Sequence, residues 1–164
     1  MIQTTSPILQ SNACTPKALA MIKGGNAFPD ALGMALFYQV PFSNGLLIEI
    51  EIKSLPPNSM DCPQFLGMHI HENGDCSNNF SNTGMHLNSN NKLHPCHLGD
   101  LPPLLNNNGY AYLCFYDGFL TLEDVLGRSL VIHRNRDDFT SQPAGDSRDK
   151  IACGVIKEYG NETQ

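Results

Sequence analysis

Turn residues interrupt this chain so often that no long helix fits between them. Its 164 residues include 14 glycines and 11 prolines, and clusters of Asn, Ser, Gly and Pro punctuate a series of short apolar runs. Eight runs read as strands: Ala18 to Lys23, Leu32 to Val40, Leu46 to Ser54, Phe65 to His71, Leu101 to Leu105, Gly109 to Tyr116, Arg128 to His133 and Lys150 to Lys157. Within the third, Leu46 to Lys53 alternates apolar and polar residues, the pattern of a strand wet on one face. Asn44-Gly45 and Asn108-Gly109 supply turn chemistry between consecutive runs, because both residue types tolerate positive φ. The expectation is an all-β fold, an eight-stranded Greek-key β-sandwich or flattened barrel with two long functional loops.

The histidines narrow what such a fold does. All six of them fall into one ordered pattern: His69-Ile70-His71, then His86, His94 and His97 with Asp100 three residues on, and finally His133. Side chains two apart on a strand share a face, so His69 and His71 can bind one ion together. His133 ends an apolar run and can deliver a third imidazole from a neighbouring strand. His86 to Asp100 lie in a stretch rich in turn residues, which reads as a long loop. A lone histidine is more often a hydrogen-bonded surface or core residue, and a single His-x-His arises by chance on a half-exposed strand. The joint order is what points to metal, since imidazole suits copper and zinc and carboxylate is a common oxygen partner.

That order resembles the copper-zinc superoxide dismutase family. Gly67-Met68-His69-Ile70-His71-Glu72 resembles the family's Gly-Phe-His-Val-His-Glu, and Gly84-Met85-His86 resembles the segment with its bridging histidine. His97-Leu98-Gly99-Asp100-Leu101 matches the family's His-x-Gly-Asp-Leu motif. Gly127 to His133 and Ile151 to Ile156 resemble its two C-terminal signatures. The likeness runs from about Lys17 to Lys157, which implies a single domain over residues 17–164 behind an N-terminal extension, residues 1–16.

The resemblance implies a role for each residue. Copper falls to His69, His71, His86 and His133, and zinc to His86, His94, His97 and Asp100, with His86 as the bridge. Asp137 aligns with the carboxylate that orients one ligand of each metal, although a solvated loop acid is the alternative reading. The implied reaction converts two superoxide anions to dioxygen and hydrogen peroxide by Cu(II)/Cu(I) cycling, with zinc structural. Cys76 and Cys153 match the family's disulfide, the alternative being two buried free thiols. Cys14, Cys62, Cys96 and Cys114 have no evident partner.

Two departures stand out. The family's anion-guiding arginine precedes the second disulfide cysteine by three residues, where this chain has Lys150. Lysine keeps the charge and loses the planar fork that grips two oxygens. Arg148, two residues earlier, is the alternative guide. The zinc loop is also short: His94 and His97 are three apart, and Cys96 between them is either a competing soft ligand or a plain loop thiol. The stretch from Arg134 to Asp149 is likewise short.

A net charge of −6 argues against nucleic acid or an anionic membrane as partner. No apolar run reaches the length of a transmembrane helix. Met1 to Thr15 lacks the basic start and apolar core of an export signal, which leads to the expectation of a cytoplasmic protein. The resemblance admits both a monomer and a homodimer, since the family uses both. The function expected is superoxide dismutation; the alternative is a non-catalytic copper-binding or copper-delivery module on the same fold, and a structural sandwich that binds zinc alone is the third reading.

Overall fold

The computed structural model describes residues 15–40, 43–58, 64–89 and 91–160. Cys14 and Cys62 therefore lie outside the described residues, as does most of the expected extension. Nine strands are present among the described residues: β1 (Ala18–Gly24), β2 (Leu32–Gln39), β3 (Leu46–Lys53), β4 (Gln64–Leu66), β5 (Met68–His71), β6 (Leu104–Asn106), β7 (Tyr110–Asp117), β8 (Ser129–His133) and β9 (Lys150–Glu158). Seven of them form one antiparallel sheet in the order β5-β8-β9-β1-β2-β3-β7, and β4 pairs with β6. The β6–β7 hairpin and the continuous chain from β4 into β5 join the small sheet to the large one. The result is a curled all-β barrel in which β7 lies beside β3 while β8, next in the chain, lies beside β9.

The expected Phe65 to His71 strand is split, and Gly67 shows why. Its N–H donates to the Asn135 carbonyl at 2.7 Å and its own carbonyl accepts from His133 N–H at 2.8 Å. A Cβ there would come 2.6 Å from Ser147 Oγ. The chain thus changes partners at Gly67, giving nine strands where eight were expected. The expected Leu101 to Leu105 strand begins only at Leu104, after Pro102 and Pro103, which cannot donate to a ladder.

Inward residues alternate along the strands and form one core. Ile22, Phe37, Ile48, Ile50, Ile52, Met68, Ile70, Leu104, Leu130 and Ile132 are all fully buried, each contributing about 1.5–3 kcal/mol of transfer free energy. The outer face of β3 is drier than its sequence suggests. Glu49 is only 1% exposed, because Tyr112 Oη and Tyr38 Oη donate to it at 2.9 and 3.3 Å from the flanking strands.

The two Asn-Gly turns differ. Asn108 and Gly109 both have positive φ, as a type I′ hairpin requires. Asn44 and Gly45 do not, and Gly45 is instead needed where its α-carbon approaches the Asp117 carbonyl. A short helix, α1 (Leu122–Val125), is nucleated by a capping box between Thr121 and Asp124.

Candidate metal centre

Every residue of β5 is buried, although a barrel strand normally leaves one face to water. Met68 and Ile70 enter the core, and His69 and His71 point the other way, beneath the loops. Backbone bonds pin those loops to the outer edge of β5. Glu72 N–H donates to the Met85 carbonyl, Leu87 N–H to Ile70, and Ile70 N–H to Gly99, at 2.8 to 3.0 Å. The same edge forms isolated bridges from His71 to His86 and from His69 to Asp100. Loop histidines thus reach the strand dyad through main-chain pairing.

Two groups of donors result. One ligand atom from each of His69, His71, His86 and His133 lies within 4.8 Å of the others, and the same holds for His86, His94, His97 and Asp100. His86 belongs to both. Every one of these residues is shielded, with His69 and His94 side chains fully enclosed.

Hydrogen bonding fixes which nitrogen faces inward. His71 Nδ1 donates to the Gly84 carbonyl at 3.0 Å and His133 Nδ1 to the Arg148 carbonyl at 3.0 Å. A carbonyl only accepts, so the neutral rings must carry lone pairs on Nε2. Those two Nε2 atoms are 3.2 Å apart. Protons do not resolve the conflict: burial, and then the neighbouring imidazoles, push His71 down to about 2 and His133 down to about 3. Two facing lone pairs in a buried site call for a cation. His69 and His86 extend the pattern, since His69 Nε2 binds Asp137 Oδ2 and His86 Nδ1 lies on Asp100 Oδ1, both at 2.8 Å. His69 Nδ1 and His86 Nε2 are left buried with no hydrogen-bond partner.

The second group repeats this logic. His94 Nδ1 lies 3.0 Å and His97 Nδ1 3.4 Å from the Asp100 carboxylate, yet neither has hydrogen-bonding geometry. Burial raises the Asp100 carboxyl, but His86, His94 and the His97 N–H outweigh it and hold it below the usual range. Three imidazoles and a carboxylate are a donor set that suits zinc, and the four-imidazole set suits copper. The three-residue spacing of His94 and His97 is accommodated by successive turns, Cys96 N–H to Leu93 and Asp100 N–H to His97. Cys96 is exposed and belongs to neither group.

Asp137 links the groups. Its Oδ2 accepts from His69 and its Oδ1 from His94 at 2.9 Å. Burial raises this carboxyl too, but bonds from His69, the Phe139 N–H and His94 bring it down to about 2. Three contributors escaped the sequence reading. Gly145, at φ +64°, leaves room where a Cβ would strike Asp137 Oδ1 and come 2.7 Å from His94 Nε2. The Gln142 amide brackets His94, accepting from its N–H at 3.1 Å and donating to its carbonyl at 2.7 Å. The third is Thr83, fully buried beside Lys150. Only the Gly in a polar loop was a signal, and a weak one.

The two candidate guides separate. Lys150 stands directly across from His133 on β9, and its charge bears on both His71 and His133. Arg148 is mostly exposed and faces Asp146 at 3.4 Å, so it meets the site through its carbonyl. Cys76 and Cys153 form a disulfide with Cα atoms 5.9 Å apart. It ties the segment leading to His86 to β9.

A β-barrel whose outer wall and loops bring two donor sets onto one shared imidazole defines a copper- and zinc-binding β protein. Comparison agrees, for the family described as copper/zinc superoxide dismutase (SODC) matches residues 31–156. The chain belongs to the copper/zinc superoxide dismutase family. It is 36% identical to a Cu-Zn superoxide dismutase of Legionella pneumophila over 141 residues, covering 79% of this chain and 80% of the relative. It is 33% identical to one from Cryptococcus neoformans over 156 residues, 85% of this chain and 96% of the relative. A second bacterial relative, from Aquifex aeolicus, is 34% identical over 131 residues, 70% of this chain and 74% of the relative.

Proposed function

We propose that this chain disproportionates superoxide, two anions and two protons giving dioxygen and hydrogen peroxide. His69 Nδ1, His71 Nε2, His86 Nε2 and His133 Nε2 would hold copper, and His86, His94, His97 and Asp100 would hold zinc. The observation that carries this reading is the pair of facing Nε2 atoms on His71 and His133, joined by unpartnered nitrogens on His69 and His86. When bound, copper supplies a one-electron acceptor and donor. His86 Nδ1 faces Asp100 and the other zinc donors, so Nε2 is the atom at which a proton can be kept between the two half reactions. Asp137 orients His69 and His94 together. Lys150 brings positive charge to an otherwise acidic protein, and an anion is attracted there before it reaches the histidines.

A copper-delivery module is the weaker reading, because a carrier has no need of a complete four-imidazole set with a cation beside it. Copper stoichiometry, measured beside a superoxide dismutation assay, tests the proposal. An enzyme binds one copper and turns over; a carrier binds copper without turnover, and a structural zinc protein ignores copper.

The proposal includes one domain over residues 17–164, supported by the family match over residues 31–156 and by the seven-stranded sheet in which β1 lies beside β9. It also includes the absence of nucleic-acid and membrane partners, supported by the net charge of −6. Among the described residues no helix is long and apolar enough to cross a membrane. Association as a homodimer is supported by Phe65 and Leu105, paired across β4 and β6 and left 51% and 37% exposed; sedimentation tests it. A cytoplasmic location belongs to the proposal as well, and the disulfide, a bond typical of oxidising compartments, weighs against it. Cell fractionation decides that point.

A further inference from the structure

Lys150 reaches the site through an irregularity in β9. Val131 pairs with Cys153 and Ile132 with Ala152, but His133 pairs with Lys150, so Ile151 is an extra residue opposite none. Such a bulge re-aims the side chains beyond it. Without it Ile151 would oppose His133.

The ammonium is then held by one segment. Its Nζ donates to Thr83 Oγ1 at 2.7 Å, to the Gly84 carbonyl at 2.9 Å and, more weakly, to the Phe80 carbonyl at 3.4 Å. An ammonium has three N–H groups, and all three have protein acceptors. Thr83 is suited to this. Its hydroxyl spends its own proton on the Phe80 carbonyl at 2.9 Å and presents a lone pair to Lys150. The Gly84 carbonyl that accepts from Lys150 also accepts from His71 Nδ1. Thr83 itself is fully buried, and its Oγ1 also lies 3.4 Å from His71 Nδ1, a longer contact than the one to Lys150.

We propose that Thr83 is a positioning residue for anion attraction: its hydroxyl anchors the Lys150 ammonium above the four-histidine group, where it acts as a fixed positive field. A planar guanidinium can bond the loop and still offer a fork to the anion. Lysine, saturated by Thr83, Gly84 and Phe80, offers charge without a grip. The ammonium, on a flexible four-carbon stem, needs an anchor that a stiffer fork does not. This inference rests on the dismutase reading and concerns one part of its machinery.

The test uses the copper- and zinc-loaded protein with Thr83→Val and Thr83→Ser. Azide, a small anion of the same charge as superoxide, is titrated optically against the copper, and dismutation is followed across ionic strength. Thr83→Val is expected to bind azide about threefold to tenfold more weakly, the scale of one lost hydrogen bond to a charged group, and to show a flattened ionic-strength dependence. Thr83→Ser, which keeps the hydroxyl, is expected to stay within about twofold of the parent in both readouts. Azide affinity and salt dependence unchanged in Thr83→Val would overturn the inference, as would Thr83→Ser behaving like Thr83→Val. Should Thr83→Val not fold, the side-chain nitrogen NMR spectrum of the reduced parent protein decides: a slowly exchanging lysine ammonium signal supports the anchor and its absence overturns it. Failure of the dismutase reading looks different, because the parent itself would then lack turnover.

Discussion

At the scale of single residues, the site is built from atoms whose partners are already chosen. Carbonyls take Nδ1 of His71 and His133, carboxylates take one nitrogen each of His69 and His86, and the remaining nitrogens converge. The metal-ligand pattern was legible in the sequence because six histidines and one aspartate followed a recognisable order. Gly145, Gln142 and Thr83 were not, since each acts through a contact across the fold that spacing along the chain does not encode. Gly145→Ala places a methyl group against Asp137 and imposes a left-handed backbone on alanine, a strain of about 1 kcal/mol before the clash is counted. Its expected outcome is weaker zinc retention against a chelator, and retention equal to the parent would contradict the crowding argument. The guide residue gives a second outcome. Lys150→Gln should lower the dismutation rate most at low salt and converge with the parent above about 0.5 M, where the screening length falls below about 5 Å. Arg148→Gln, already paired with Asp146 and turned to solvent, should change the rate little. A larger loss in Arg148→Gln would reverse the assignment.

At the scale of elements, the strands were visible as alternating runs, and their partners were not. The Phe65 to His71 run gave no sign of its change of sheet at Gly67, because the cause lies in the Asn135 carbonyl and Ser147, far along the chain. The bulge at Ile151 is equally silent in the sequence. It decides, even so, that a lysine and not an isoleucine faces His133. The loops of the centre are held to the barrel by β5-edge pairing and by the Cys76–Cys153 bond. That disulfide joins residues 77 apart, and closing a loop of that length stabilises a chain by about 4 kcal/mol through unfolded-state entropy. Replacing both cysteines with serine should lower the melting temperature by roughly 10 °C, at about 2–4 °C per kcal/mol for a chain of this size. An unchanged melting temperature under non-reducing conditions would show that the loop is held without it.

At the scale of the whole molecule, metal and fold are coupled through buried, uncharged imidazoles. In the unfolded chain His71 and His133 take up protons near pH 6.5, while in the folded metal-free protein burial delays this to about 2 and about 3. The unfolded state therefore binds more protons below pH 6.5, and stability falls as pH falls. Metal-free protein should lose melting temperature progressively from about pH 6.5 down toward pH 3, beyond any loss seen in a variant with both histidines replaced by glutamine. Parallel curves for the two proteins would contradict the linkage. The barrel wall, the pinned loops and the disulfide together serve one arrangement, a single imidazole held in common by two donor groups. Electron paramagnetic resonance tests it most directly, on protein with copper in the four-histidine site and cobalt in the neighbouring one. If His86 bridges the metals, magnetic coupling through its ring suppresses the copper signal, and it returns when cobalt is replaced by zinc. An unperturbed copper signal beside fully bound cobalt would contradict the shared imidazole on which this account depends.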